Sequence, residues 1–118
     1  MENEENKVYK RPWGTYKSIK IYKTAQVKWI EVNQKSKLSL QRHFKRSEHW
    51  VVIEGNPSIT LNNTKKKYSA NDHIFIPIQA VHRIENETDE KVIIVEVQMG
   101  TYLGEDDIER LEDIYNRK

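Results

Sequence analysis

Apolar residues in this chain fall into short runs, such as WVVI, IFIP and VIIVEV, with polar clusters between them. Runs of that length, rich in β-branched and aromatic residues, predict strands. The stretch from Thr15 to Val32, broken only by polar residues near Lys23 to Gln26, predicts two strands and a turn, and Asn33 to Lys37 reads as the next turn. Further strands are predicted over Leu38 to His43, Trp50 to Glu54, Ser58 to Leu61, Lys67 to Ser69, His73 to Ile76, Arg83 to Glu85 and Lys91 to Gln98, separated by Asn-, Asp-, Gly- and Pro-containing turns. Many short strands at this spacing mean an all-β sandwich or barrel. The tail has a different period. Ile108, Leu111 and Tyr115, with Ile114 beside them, share one face of a helix, and Glu105, Asp106 and Asp107 precede it as a helix N-terminus favours. A short amphipathic α-helix is therefore expected to close the chain. The polar residues 1–10 read as a flexible arm, leaving 11–118 as a single domain.

Composition narrows the function classes. In 118 residues there are 20 basic and 18 acidic side chains, interspersed, so no field suggests a nucleic-acid partner. The one basic cluster, Lys65 to Lys67, follows Asn62, Asn63 and Thr64 and reads as a hairpin tip protecting an exposed edge. The absence of cysteine removes disulfides, thiolate metal sites and cysteine nucleophiles, and fits a reducing compartment. The N-terminus lacks a signal-peptide core, and no apolar run is long enough to span a bilayer. A cytoplasmic protein without a membrane partner is expected. The edge of a strand from Thr15 to Tyr22 suggests sheet addition between copies, hence a homodimer.

Candidate chemistry gathers in two blocks, QRHFKRSEHWVVIEG (41–55) and IPIQAVHRIEN (76–86). Gln41 and His43 are two apart, so on a strand their side chains share one face, as two ligands of one ion must. Glu48 and His82 would complete a four-ligand shell for one divalent metal, with zinc first and manganese, iron or cobalt next. On strand alternation His49 faces away from Glu48, and His49 and His73 read as ordinary surface or core residues.

The spacing of Glu48 to Gly55, and of Pro77 to His82 and Asn86, resembles the two motifs of the cupin superfamily, whose fold is a double-stranded β-helix or jelly-roll barrel. The glycines usual to those motifs are replaced by Lys35, Asn71 and Gln79, and the first histidine of the usual pair by Gln41. A closer resemblance covers Arg11 to Arg117. RPWGTY, LSLQRHFKRSEHWVVIEG, IPIQAVHRIEN and VEVQMGTYLGEDDIERLEDIYNR are similar to the C-terminal isomerase domain of bifunctional mannose-1-phosphate guanylyltransferase and mannose-6-phosphate isomerase enzymes. The resemblance implies a stand-alone type II phosphomannose isomerase, without the nucleotidyltransferase half, supplying or draining the mannose pool used for GDP-mannose and surface polysaccharide. It also implies Gln41, His43, Glu48 and His82 as the metal ligands.

Such an isomerase moves a proton between C1 and C2 of an open-chain sugar through a cis-enediolate, which needs a Lewis acid and a base. Glu96 is the candidate base and shares its strand face with Gln98, a candidate substrate contact. Its competing reading is a solvent-face charge, with Ile93, Val95 and Val97 filling the core. For the sugar phosphate, Arg46 is the first candidate, between His43 and Glu48, with Lys45, Arg83 and Arg11 as further candidates. Arg42 alternates away from the ligands and reads as structural; Trp13 and Trp50 read as packing. The alternatives are an isomerase or epimerase of another sugar phosphate or nucleotide sugar, or a non-catalytic sugar-binding cupin partnering a separate guanylyltransferase.

Overall fold

The computed structural model describes residues 3–113. Two sheets enclose one interior. The first has the order β1 (Val8–Arg11), β2 (Gly14–Ile21), β3 (Ala25–Val32), β11 (Val92–Gly100), β6 (Arg46–Glu54) and β9 (His73–Ile76). The second runs β12 (Glu109–Glu112), β5 (Leu40–Arg42), β10 (His82–Asn86), β7 (Ser58–Leu61) and β8 (Thr64–Lys67), with β4 (Ser36–Lys37) also pairing with β10.

Side-chain alternation on the first sheet writes the interior in rows across the strands. Val32 lies opposite Val92, and Ile94 lies between Ile30 and Val52. These residues are almost fully buried and form the apolar end, joined by Ile59, Ile76 and Ile84. One row further, Lys28 and Trp50 flank Glu96, and beyond that Gln26 and Glu48 flank Gln98. The same inward phase thus passes from hydrocarbon to charge along each strand. The barrel is packed at one end and chemically equipped at the other. Ile93, Val95 and Val97 take the outward phase, so the competing reading of Glu96 as a solvent-face charge does not hold.

Asn86 locks the apolar end. Its amide donates to the carbonyls of Val32, Asn33 and Glu90, while Oδ1 accepts from the N–H and hydroxyl of Thr88. The positions where glycine is usual keep a glycine-like backbone, with φ of 52° at Lys35, 81° at Asn71 and 67° at Gln79. Each side chain is held in the left-handed region at a cost of about 1 kcal/mol, least at Asn71. Turn geometry here outlasts the residue type that favours it.

Four expectations need correction. The described part of the expected helix is not helical: Glu109–Glu112 is β12, antiparallel to β5, and no helix occurs among the described residues. The open edge of β5 takes backbone hydrogen bonds that a helix would have kept to itself, and ion pairs of Arg42 with Glu109 (2.6 Å) and Arg83 with Glu112 (2.7 Å) fix the extended form. Ile114 and Tyr115 lie outside the described residues. Structure also begins earlier than Arg11. β1 pairs along β2 from Val8, and Asn3 bonds Tyr16, Gln26 and Glu105. Consequently β2 lies inside the sheet, and β1 covers the first part, Thr15 to Lys17, of the edge expected from Thr15 to Tyr22 to recruit a second copy. Lys65 to Lys67 do belong to an exposed edge strand, but it runs over Thr64–Lys67 and not over Lys67 to Ser69 as expected, because Thr64–Lys67 is the segment that pairs back on Ser58–Leu61. No described helix is long and apolar enough to cross a membrane.

Candidate active site

At the polar end a cavity is lined by Gln41, His43, Arg46, Glu48, His82 and Glu96, together with Arg11, Tyr16, Lys28, Ser39, Glu105 and Arg110. Its apolar wall is Trp13, Ile30, Leu38, Trp50, Ile84 and Ile108. Eight strands (β1, β2, β3, β5, β6, β10, β11 and β12) and four of the connections between strands contribute to it. β6 supplies Arg46, Glu48 and Trp50, β10 supplies His82, and β5 supplies Gln41, whose Cα pairs with that of His82.

His43, Glu48 and His82 each offer one donor atom, and those atoms lie within 4.8 Å of one another. All three residues are buried. Each imidazole is oriented from behind: His43 Nδ1 is 2.7 Å from the Asp107 carbonyl oxygen, and His82 Nδ1 is 3.0 Å from that of Ala80. A carbonyl only accepts, so Nδ1 carries the ring proton and Nε2 presents a lone pair to the cavity. Burial pushes His43 down to about 4 and His82 below its ordinary value, so both rings are neutral near pH 7. Burial would raise the Glu48 carboxyl, but Arg46 in contact with it, and His43 and His82 nearby, hold it below the usual range. Two neutral imidazoles and one ionised carboxylate in mutual reach are the donor set a borderline divalent ion takes, and the residues fit one. Gln41 faces the same cavity and can add an amide oxygen.

Asp107 supports this arrangement twice. Beyond its carbonyl contact with His43, its carboxylate accepts the N–H of Phe44 at 3.0 Å and of Lys45 at 2.9 Å, fixing the turn that follows His43. Trp50 Nε1 donates to Glu48 Oε1 at 2.8 Å, and the indole packs edge-on against His82. Trp50 therefore orients a donor as well as packing.

Glu96 is buried, with Oε1 engaged by the Gln98 amide. Burial and the neighbouring Glu48 charge push it up to about 8, against the opposing pull of Lys28 and Arg46. Gln98 lies behind Glu96 and is absent from the cavity wall. Arg46 is not in a loop; it opens β6, with Nε 2.8 Å from Glu48 Oε2. Arg11 reaches the cavity and stacks over the Tyr9 and Tyr16 rings.

Besides Gln98, two expected substrate contacts lie off the cavity wall. Lys45 is exposed and extends over the Tyr102 ring, because the turn after His43 points it outward. Arg83 takes the opposite phase of β10 from His82, and spends its donors on the Leu38 carbonyl and on the side chain and carbonyl of Glu112. It ties β10 to β12. His49 faces out against Phe75, as alternation required, and His73 is exposed.

The sequence reading missed Lys28, Tyr16, Ser39, Glu105 and Arg110. Lys28 was the accessible one, since Gln26, Lys28, Ile30 and Val32 hold the buried phase of β3 and a lysine there needs a partner. That partner is Glu105, 2.6 Å away, from the acidic turn that looked like a helix start. Burial would raise Glu105, but Lys28 and then Arg46 keep it below its ordinary value. Tyr16 is pushed up, first by burial and then by Glu105.

Against known families, the model described as "Mannose-6-phosphate isomerase C-terminal" matches residues 1–113. Among curated relatives, the alginate biosynthesis protein AlgA of Pseudomonas aeruginosa is 47% identical over 107 residues, 91% of this chain and 22% of the relative. The xanthan biosynthesis protein XanB of Xanthomonas campestris is 44% identical over 111 residues, covering 94% of this chain and 24% of the relative. The chain thus spans less than a quarter of the length of these relatives. Among solved structures, an oxalate decarboxylase of Lactobacillus farciminis superposes with a TM-score of 0.76 at 23% identity, over 89% of this chain and 33% of that one. A cupin-superfamily sugar phosphate isomerase of Silicibacter pomeroyi gives 0.65 at 17%, over 72% and 58%. The fold is that of a cupin.

Proposed function

The chain belongs to the mannose-6-phosphate isomerase C-terminal family, and we propose that it interconverts mannose 6-phosphate and fructose 6-phosphate with one divalent metal, zinc first, held by Gln41, His43, Glu48 and His82. The observation that carries the proposal is the convergence of His43, Glu48 and His82 in one cavity that also holds Glu96. A bound cation there supplies Lewis-acid polarisation of the sugar carbonyl.

The chain's own groups do the rest. Asp107 and Ala80 hold the two imidazoles in the tautomer that presents Nε2. Glu96 moves the proton between C1 and C2. Gln98 engages its Oε1, so Oε2 is the oxygen that carries that proton, and a carboxyl near 8 returns it readily. Arg11, Lys28, Arg46 and Arg110 on the wall outnumber Glu48 and Glu105, the carboxylates held ionised, which suits a dianionic sugar phosphate. The apolar wall limits water around the transferred proton.

Support for the sugar comes from the family and from relatives named for alginate and xanthan biosynthesis. We place the reaction in the cytoplasm, on the cysteine-free composition. We also propose a homodimer through the outer face of the first sheet, where Val51, Ile53 and Phe75 are exposed on neighbouring strands; sedimentation equilibrium reads it. The direct test is fructose 6-phosphate formation from mannose 6-phosphate by protein stripped of metal and reloaded with zinc, manganese, iron or cobalt. Turnover restored by metal and missing in Gln41→Ala/His43→Ala is expected. Turnover of a different sugar phosphate alone, or none by folded and loaded protein, would overturn the proposal.

A further inference from the structure

Arg46 sits in an unusual place for a substrate-binding group. Its side chain is 5% exposed, its Nε donates to Glu48 Oε2 at 2.8 Å, and its Nη2 lies 3.2 Å from His43 Nε2. Nη1 is buried without a hydrogen-bond partner and lies 4.0 Å from Glu105 Oε2. The guanidinium therefore rests on two of the three donor atoms that face one another in the cavity.

The two donors differ in capacity. A carboxylate oxygen has spare lone pairs and can keep Nε while it ligates an ion. His43 cannot share. With its Nδ1 proton given to the Asp107 carbonyl, Nε2 has a single in-plane lone pair, and that lone pair serves either Arg46 or a metal.

The geometry points to Arg46 as a competitor for the metal and a binding group that the metal releases. Entry of a divalent cation among His43, Glu48 and His82 breaks the contact between Nη2 and His43. Nε keeps its hold on Glu48, so the guanidinium turns about that bond. Nη2 then joins Nη1, and the pair forms a two-pronged donor for an anionic oxygen of the ligand. No proton changes hands, because His43 is neutral and Arg46 charged before and after. Metal affinity is consequently lower than the bare donor set would give, and anion capture by Arg46 follows metal binding. This rests on the metal reading of the site.

Zinc affinity, measured on the stripped 118-residue chain by competition with a chromophoric chelator, tests it without any turnover. Arg46→Met is expected to bind zinc about tenfold tighter than the unsubstituted protein, the scale of losing one charge-assisted hydrogen bond. Arg46→Lys keeps a charge beside Glu48 but lacks the second arm, and should also bind tighter. In unsubstituted protein with 15N-labelled arginine, one guanidinium should show restricted Nη rotation when stripped and freer rotation with zinc, and that signal should be missing in Arg46→Lys. Zinc binding by Arg46→Met and Arg46→Lys that is equal or weaker, or Nη signals indifferent to zinc, would overturn the inference while leaving the metal site standing. No zinc binding by any of the proteins would overturn the metal reading itself.

Discussion

Neutralising Glu96 should change how the stability of the metal-free protein depends on pH. Its carboxyl is pushed from 4.5 to about 8 by burial and by the Glu48 charge. A carboxyl raised in the fold contributes its stability below the unfolded value of 4.5, and loses it as pH climbs through about 8. At about 1.36 kcal/mol per pH unit, the full window is worth roughly 4–5 kcal/mol as an upper bound, and the interval from pH 6 to 8 roughly 2 kcal/mol. Glu96→Gln keeps the shape and the neighbour Gln98 but removes the titration. Urea unfolding of both proteins in chelator at pH 6, 7 and 8 gives the difference in stability at each pH, and the contributions of His43 and His82 cancel in that difference. The advantage of Glu96→Gln should grow by about 2 kcal/mol between pH 6 and 8. A difference that stays flat would mean that Glu96 is already ionised in the fold at pH 6, and would refute the argument that burial beside Glu48 keeps it protonated. In turnover the same substitution should lose at least about a hundredfold, the usual contribution of a positioned base.

Three other outcomes follow from the geometry. Gln41→Ala alone should weaken zinc binding about tenfold and leave some binding through the other three donors, whereas His43→Ala should lose at least a further tenfold; equal affinities in a chelator titration would remove Gln41 from the ligand set. Gln79→Gly, relieving a φ of 67° without disturbing the Gln79 N–H bond to the His43 carbonyl, should raise stability by up to about 1 kcal/mol in chemical denaturation. Arg83→Met should lower the thermal midpoint by loosening β12 from β10, while KM for the sugar phosphate stays within about twofold; a large KM change with an unaltered midpoint would return Arg83 to the substrate.

Much of the site was legible because strand chemistry repeats every two residues. Gln41 with His43, and Glu48 against His49, could be sorted by parity alone, and the structure keeps that sorting. Parity does not say which phase is inside. Glu96 and its neighbours Val95 and Val97 illustrate this, since an apolar outer face and a polar inner end both contradict the simple rule that hydrophobic residues point inward. Lys45 and Arg83 failed for a related reason: adjacency in sequence to His43 and His82 put them near the site along the chain and on the wrong side of it.

By itself the sequence determined the all-β class, most of the central strands and the candidate ligand types, because these depend on local periodicity and on residue chemistry within a few positions; β1, β4 and β12, which exist through pairing with distant strands, it did not. Only the tertiary structure decided the last segment. Ile108 to Leu111 carry a helical period, but the unpaired edge of β5 and the cations Arg42 and Arg83 offered more to an extended strand than an isolated short helix could supply. That choice carries Asp107 to His43 and Glu105 to Lys28, each from more than sixty residues away in sequence, and brings Ile108 and Arg110 to the cavity wall. Contacts at that separation are set by which surfaces remain unpaired after the local strands have formed, a quantity that no window of the chain contains.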